Sequence, residues 1–332
     1  MLRYPVWTED FLFMKEFKTT EEQIELLKNR GLTFENEGNA KEILLNNTYY
    51  NIINGYKELF ITPGTTDNFI TGACFEEIYA LYNFDKKLRD IFLEYILKIE
   101  NNLRALISYY FSENHGNDNY LKLESFDYYN GNTTVSHKLK SSRIENIQDL
   151  IGTIHKEIAN SINKKESINH YIVNHGFIPM WVLVNILSFG KISKFLELMK
   201  QSERVQISKQ YNIPQEDLIQ YVKLLAYFRN LCAHNDRIYN VKLPKYLYIP
   251  DNKYHAMLNI SKTNTMYEKG KNDLFALVLT LKIMLNEKDY IAFSNKIGQH
   301  IHNLEKLLKT ITIEEVLKKM NFPTNWYELK KF

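Results

Sequence analysis

Between Phe75 and Phe111 apolar side chains return every three or four residues. They are Ile78, Leu81, Tyr82, Phe84, Leu88, Ile91, Phe92, Tyr95, Ile96, Ile99, Leu103, Leu106, Ile107 and Tyr110. That spacing places them on one face of a helix about ten turns long. The sequence around His115-Gly116-Asn117 stops it. A helix of this length demands other helices to cover it, and no convincing alternating strand pattern occurs elsewhere. The fold class is all-α.

The remaining chain supplies the covering elements. Thr19 or Thr20 caps a helix over 19–30, with acidic residues in its first turn and Gly31 as its stop. A short helix begins near Asn39, and the Tyr49-Tyr50 cluster reads as core. Residues 112–135 are polar and turn-rich and read as a surface connection. A polar helix with one apolar stripe follows over about 137–164. Pro179 opens a helix that runs through Trp181 and Leu187 to Leu198. Pro214 starts another, with Glu216 and Asp217 in its first turn. This second helix is apolar nearly all round, from Leu218 to Leu231, and belongs in the middle of a bundle or in a subunit interface. Helices near 271–286, 288–308 and 312–320 complete the pattern. The chain divides into an N-terminal helical region (1–70), a central helical core (71–245) and a C-terminal helical extension (246–332).

The net charge of +3 over 332 residues permits nucleic-acid binding without demanding it. The two cysteines, Cys74 and Cys232, give neither a disulfide framework nor a zinc spacing, which fits a reducing cytoplasm. Met1 to Pro5 lacks the start of a signal peptide, and no apolar run reaches the length of a membrane span.

Chemistry gathers where the all-round apolar helix ends, at Arg229-Asn230-Leu231-Cys232-Ala233-His234. Arginine offers a planar fork of donors to a phosphate, and histidine moves protons near neutral pH. His234 can take the proton of a ribose 2′-OH or protonate the departing 5′ oxygen. Arg229 can stabilise the charge that develops on the phosphorus oxygens. Such a reaction cuts RNA and not DNA, leaves a 2′,3′-cyclic phosphate and needs no metal or other cofactor. Asn230 can orient the histidine or the phosphate. Arg237 can add a phosphate contact and Tyr239 can stack on a base, with Asn240 alongside. On an ideal helix Arg229 and His234 point roughly 140° apart, so a second copy across a two-fold axis is expected to complete the site. A helix cap and a dipole partner are the plainer reading of the same two residues.

Matching blocks extend well beyond these six residues. They include Thr20-Glu21-Glu22-Gln23-Ile24, Leu27-Lys28-Asn29-Arg30-Gly31, Leu81-Tyr82-Asn83-Phe84-Asp85, Pro179-Met180-Trp181 and Leu187-Ser188-Phe189-Gly190, ahead of the Arg229–His234 motif with Arg237, Tyr239 and Asn240. In this order they resemble the Abi-like bacterial abortive-infection proteins of the AbiD and AbiF group, over roughly residues 18–245. The resemblance implies a HEPN-like helical bundle with additional N- and C-terminal helices. It implies a ribonuclease site at a homodimer interface, carried by Arg229, Asn230 and His234, and a role in phage defence. It also implies, for some relatives, a small RNA that restrains or guides the protein. HEPN-type proteins include non-cleaving members, so a non-catalytic module that binds RNA or protein is the alternative.

Other groups point to packing. His300 and His302, two apart on a helix, face different ways and make a poor metal pair. His170 and His175 flank a loop before Pro179. Arg89 and Arg104 are expected to pair with Asp85 or Glu100. Cys232 reads as a small buried residue and Lys191, Lys194, Lys200 and Lys209 as a solvated face.

Overall fold

The computed structural model describes residues 17–332. Helices dominate among these residues. The strands among them, Lys262–Thr263 and Met266–Tyr267, form one short antiparallel hairpin. The chain forms two compact units, each described by itself.

The first unit comprises the described residues up to Phe84 together with Asn303–Val316. Helix α1 (Thr20–Asn29) opens with a capping box between Thr19 and Glu22, as the sequence leads one to expect. It closes where Gly31 turns to a φ of +89° and the Leu32 N–H reaches back to the Leu27 carbonyl at 3.0 Å. Helix α2 (Glu37–Asn47) is capped by the Asn36 side chain. A π turn (Tyr50–Asn54) and a 3-10 turn (Lys57–Phe60) lead to α3 (Phe75–His115), whose first residues belong to this unit. The core holds Leu27, Leu44, Ile52, Ile53, Phe60 and Phe75, with Phe34 stacked on Phe75 at 5.5 Å. The Tyr49-Tyr50 cluster is only partly core: Tyr50 lies on the surface, and Ile52 and Ile53 of the π turn fill the interior instead.

The second unit comprises Asp85–His302 and Leu317–Phe332. Its elements are the rest of α3, α4 (His137–Ser161), α5 (Glu166–His175), α6 (Met180–Leu183), α7 (Phe189–Leu198), α8 (Gln201–Lys209), α9 (Gln215–Ala233), α10 (Lys253–Met257), α11 (Leu274–Met284) and most of α12 (Glu287–Glu305). The end of α13 (Ile313–Lys319) and a closing 3-10 turn (Trp326–Lys331) follow. Helix α9 packs on α7, α8 and α11. Its Leu218, Val222, Leu225 and Phe228 are fully enclosed, and each such side chain contributes about 1.5–3 kcal/mol of hydrophobic stabilisation. The all-round apolar sequence of α9 is thus largely consumed inside its own chain.

Three local expectations are corrected. The helix expected from Pro179 to Leu198 is two helices, α6 and α7. Pro179 is the N-cap of a single turn, and Asn185 donates its side-chain amide to the Trp181 carbonyl at 2.9 Å, which competes with helix propagation. The 112–135 stretch is more than a surface connection. Residues 112–115 continue α3, and Tyr120 and Phe126 are buried. Phe126 joins Phe111 and Phe195 in an aromatic cluster with centroids 5.1–5.8 Å apart. Finally, His170 and His175 do not flank a loop but lie on α5, with their rings 5.8 Å apart. No helix among the described residues is long and apolar enough to cross a membrane.

Candidate functional site at the end of helix α9

The site begins with the way α9 stops. Phe228 and Cys232 face the core, Arg229 is half-buried, and Asn230, Ala233 and His234 are exposed. His234 is the C-cap, with φ −96° and ψ 8°, and its N–H donates to the Asn230 carbonyl at 3.0 Å. Asn235 then takes a left-handed φ of +60°. Among residues with a side chain, asparagine adopts this conformation most readily. The Asn235 N–H donates to the Cys232 carbonyl at 3.4 Å, and the Asp236 N–H donates to the Leu231 carbonyl at 2.9 Å. This pair of reaching-back bonds is a Schellman cap, and it satisfies carbonyls that a bare helix end would leave open.

The chain leaving the cap is held by a buried ion pair on α3. Asp85 and Arg89, four residues apart, meet at 2.6 Å, and both are almost wholly buried. The Asp85 carboxylate also accepts the N–H of Ile238 at 3.3 Å and of Tyr239 at 2.7 Å. The Arg89 guanidinium donates as well to the Asp236 carbonyl at 3.4 Å. The ion pair therefore clamps the backbone that follows His234. Cys232 sits within this packing, and burial pushes its thiol up to about 12, far from the range of a nucleophilic cysteine.

Arg229 is oriented by a second buried carboxylate of α3. Its Nε lies 3.6 Å from Glu100 Oε2, while its side chain remains 33% exposed. Glu100 is buried and also pairs with Arg104, which in turn donates to the Val184 carbonyl. The pairs Asp85–Arg89 and Glu100–Arg104 are those the four-residue spacing on α3 leads one to expect. Their use is what the sequence does not disclose: one holds the exit of the motif and the other holds Arg229. Neither partner is near in sequence, so no local pattern announces it.

The structure thus brings Arg229, Asn230 and His234 to one helix end. No contact among the described residues joins the Arg229 and His234 side chains. Arg237 is exposed and Asn240 half-buried. Tyr239 is corrected: its ring is fully buried, so it is not presented to a base, and its backbone N–H serves the Asp85 clamp instead. His300 is half-buried, and burial lowers its pKa below the ordinary imidazole value. Chemically, the helix end offers a forked cation held at its base, a carboxamide and an exposed imidazole on a fixed backbone. That set suits a phosphate with a nearby proton to move.

No curated protein and no solved structure matches the chain. A family model described as Abi-like protein matches residues 42–240, which include Asp85, Arg89, Glu100 and the whole end of α9. With more than half of the sequence matched, the chain belongs to the Abi-like protein family.

Proposed function

We propose that this protein is a metal-independent RNA endonuclease of abortive infection, with its reactive groups at the end of α9. The observation that carries this reading is the joint presentation of Arg229, Asn230 and His234 at a helix end whose backbone is clamped by Asp85 and Arg89. Family membership supplies the setting, a halt to growth of a phage-infected cell.

In the reaction, His234 takes the proton of a ribose 2′-OH as that oxygen attacks the adjacent phosphorus. Arg229, steadied by Glu100, bonds the phosphorus oxygens as their charge grows. The P–O5′ bond breaks, the 5′ oxygen takes up a proton, and the products are a 2′,3′-cyclic phosphate and a 5′-hydroxyl. Asn230 orients the phosphate. A second copy of the chain, related by a two-fold axis, brings its own Arg229 and His234 alongside. Because the apolar faces of α9 are occupied within the chain, we place that meeting at the exposed Asn230–Ala233–His234 edge. A small RNA bound there would restrain the enzyme.

The test is cleavage by purified protein in EDTA. Wild type should cut RNA, leave DNA intact and yield cyclic-phosphate ends. His234→Ala should lose roughly 10²–10⁴-fold in rate. A wild type that binds RNA but never cuts it favours the non-catalytic reading, in which Arg229 merely holds a phosphate. Strict dependence on Mg²⁺, or equal activity on DNA, would remove the 2′-OH mechanism.

A further inference from the structure

The chain's positive charge is not spread evenly. Residues 237–271, which follow the motif directly, carry seven lysines and arginines against two carboxylates, a net +5. The whole chain carries only +3, so everything outside this segment is net negative. The segment also contains five tyrosines. Nearly all of it lies beyond the family match, which ends at residue 240.

Its backbone is fixed rather than loose. The Leu243 N–H donates to the Asn272 carbonyl at 3.1 Å, and the Ile249 N–H donates to the Lys271 carbonyl at 2.9 Å. Between them the Leu247 N–H closes a turn on the Pro244 carbonyl at 2.9 Å. Leu243, Leu247 and Ile249 point into the core. Lys242, Lys245, Tyr246 and Tyr248 are thereby turned outward, with Lys245 and Tyr246 at the tip of the turn. Tyr246 is 76% exposed and Tyr248 46%. Lys271 lies 5.9 Å from the Tyr248 ring centroid and is itself anchored to Asp251 at 2.6 Å. By contrast, among the described residues Lys242 and Lys245 have no ion-pair partner in the protein.

Exposed aromatic rings leave apolar surface in water, and Lys242 and Lys245 beside them carry charge that no carboxylate among the described residues neutralises. Both features are relieved by one kind of ligand, a polyanion whose aromatic groups are unpaired. Bases stack on the tyrosines and phosphates meet the lysines. A duplex would satisfy the lysines only, because its bases are already stacked.

We propose that the turn over residues 242–248 is a platform for single-stranded RNA. The platform rests on the RNA reading of Arg229 and His234, and it adds the preference for an unpaired strand.

The test uses the full chain and a fluorescent 2′-O-methyl RNA of fifteen nucleotides, whose blocked 2′ oxygen prevents cleavage. Tyr246→Ala combined with Tyr248→Ala should weaken binding by about ten-fold or more. Lys242→Ala combined with Lys245→Ala should lower the slope of log affinity against log salt by roughly 0.7 per lysine. The same sequence as a duplex should bind more weakly and ignore the tyrosine changes. Unchanged binding in both double variants overturns the platform, as does a tyrosine loss that is equal for single strand and duplex. Binding lost with the lysines alone also overturns it, since that describes a plain charged surface. These outcomes are separable from failure of the nuclease. If the platform fails, the variants cut RNA with unchanged KM while His234→Ala stays inactive. If the nuclease fails, wild type binds the probe through the tyrosines and cuts no RNA.

Discussion

Asp85→Asn removes one negative charge from a site with no access to water and leaves its shape nearly intact. Asp85 is fully buried and Arg89 is 4% exposed, so the arginine has no solvent to replace its partner. Leaving one member of a buried ion pair uncompensated costs about 3–5 kcal/mol. The asparagine oxygen still accepts the Tyr239 N–H, so that bond adds little to the loss. Its amide, however, presents hydrogens where Arg89 needs an acceptor. Arg89→Met alone should cost a similar amount, because it strands the carboxylate. The double variant removes both charges and should recover much of the loss, with a coupling of about 2 kcal/mol or more. Urea unfolding of all four proteins measures the cycle. Hydrogen exchange over residues 236–240 reports the clamp directly, and these amides should lose protection in Asp85→Asn well before the core does. Additive single losses, or a loss under 1 kcal/mol with exchange unchanged, would refute the role given to the ion pair.

Two further outcomes follow from buried titratable groups. Glu203 faces His115 in the interior, and burial pushes its carboxyl from 4.5 up to about 7. Ionising it therefore opposes folding, and stability should fall as pH rises from about 4.5 to 7, by at most roughly 3 kcal/mol. Burial holds His115 below its ordinary value, so its own contribution runs the other way, falling as pH drops below 6.5, where the unfolded imidazole takes a proton and the folded one resists it; the two contributions offset each other in part between pH 4.5 and 6.5. Glu203→Gln should erase the loss on the alkaline side only, and a Tm difference from wild type that stays constant between pH 5 and 8 argues against this account. Cys74 and Cys232 are both buried, with thiols raised by burial. A thiol reagent should find neither within minutes in the native protein and both in denaturant, and rapid native reaction at Cys232 would show that the end of α9 opens.

What the sequence disclosed depended on the range of each interaction. The long helix was legible because Ile78 to Tyr110 repeat at helical spacing, and α1 because Thr19, Glu22 and Gly31 carry its caps locally. The acid partners of Arg89 and Arg104 were legible for the same reason, since helical neighbours lie four residues apart. Helix α8 was missed because its buried residues include Glu203 and Arg204, which no apolar pattern reveals. Arg204 is accommodated by Gln215 at 2.7 Å and by Asp127, both remote in sequence. The burial of Tyr239 was equally hidden, because it follows from the backbone bonds that Asp85 makes 154 residues away. Long-range polar contacts of this kind decide which face of a short segment turns inward.

The Schellman cap and the Asp85 clamp together fix the backbone from His234 to Tyr239, and this bears on how the proposed activity is controlled. The conformational entropy of residues 230–239 is lost when the protein folds, not when a substrate arrives. Substrate binding then needs little ordering, and the site stands ready at all times. On the proposed function, in which the action halts the protein's own cell, restraint cannot come from a slack site that tightens on demand, because loosening these residues would disturb the core beneath them. The proposed function then calls for restraint from outside, by something that covers the helix end or keeps two copies apart, with release as the removal of that cover.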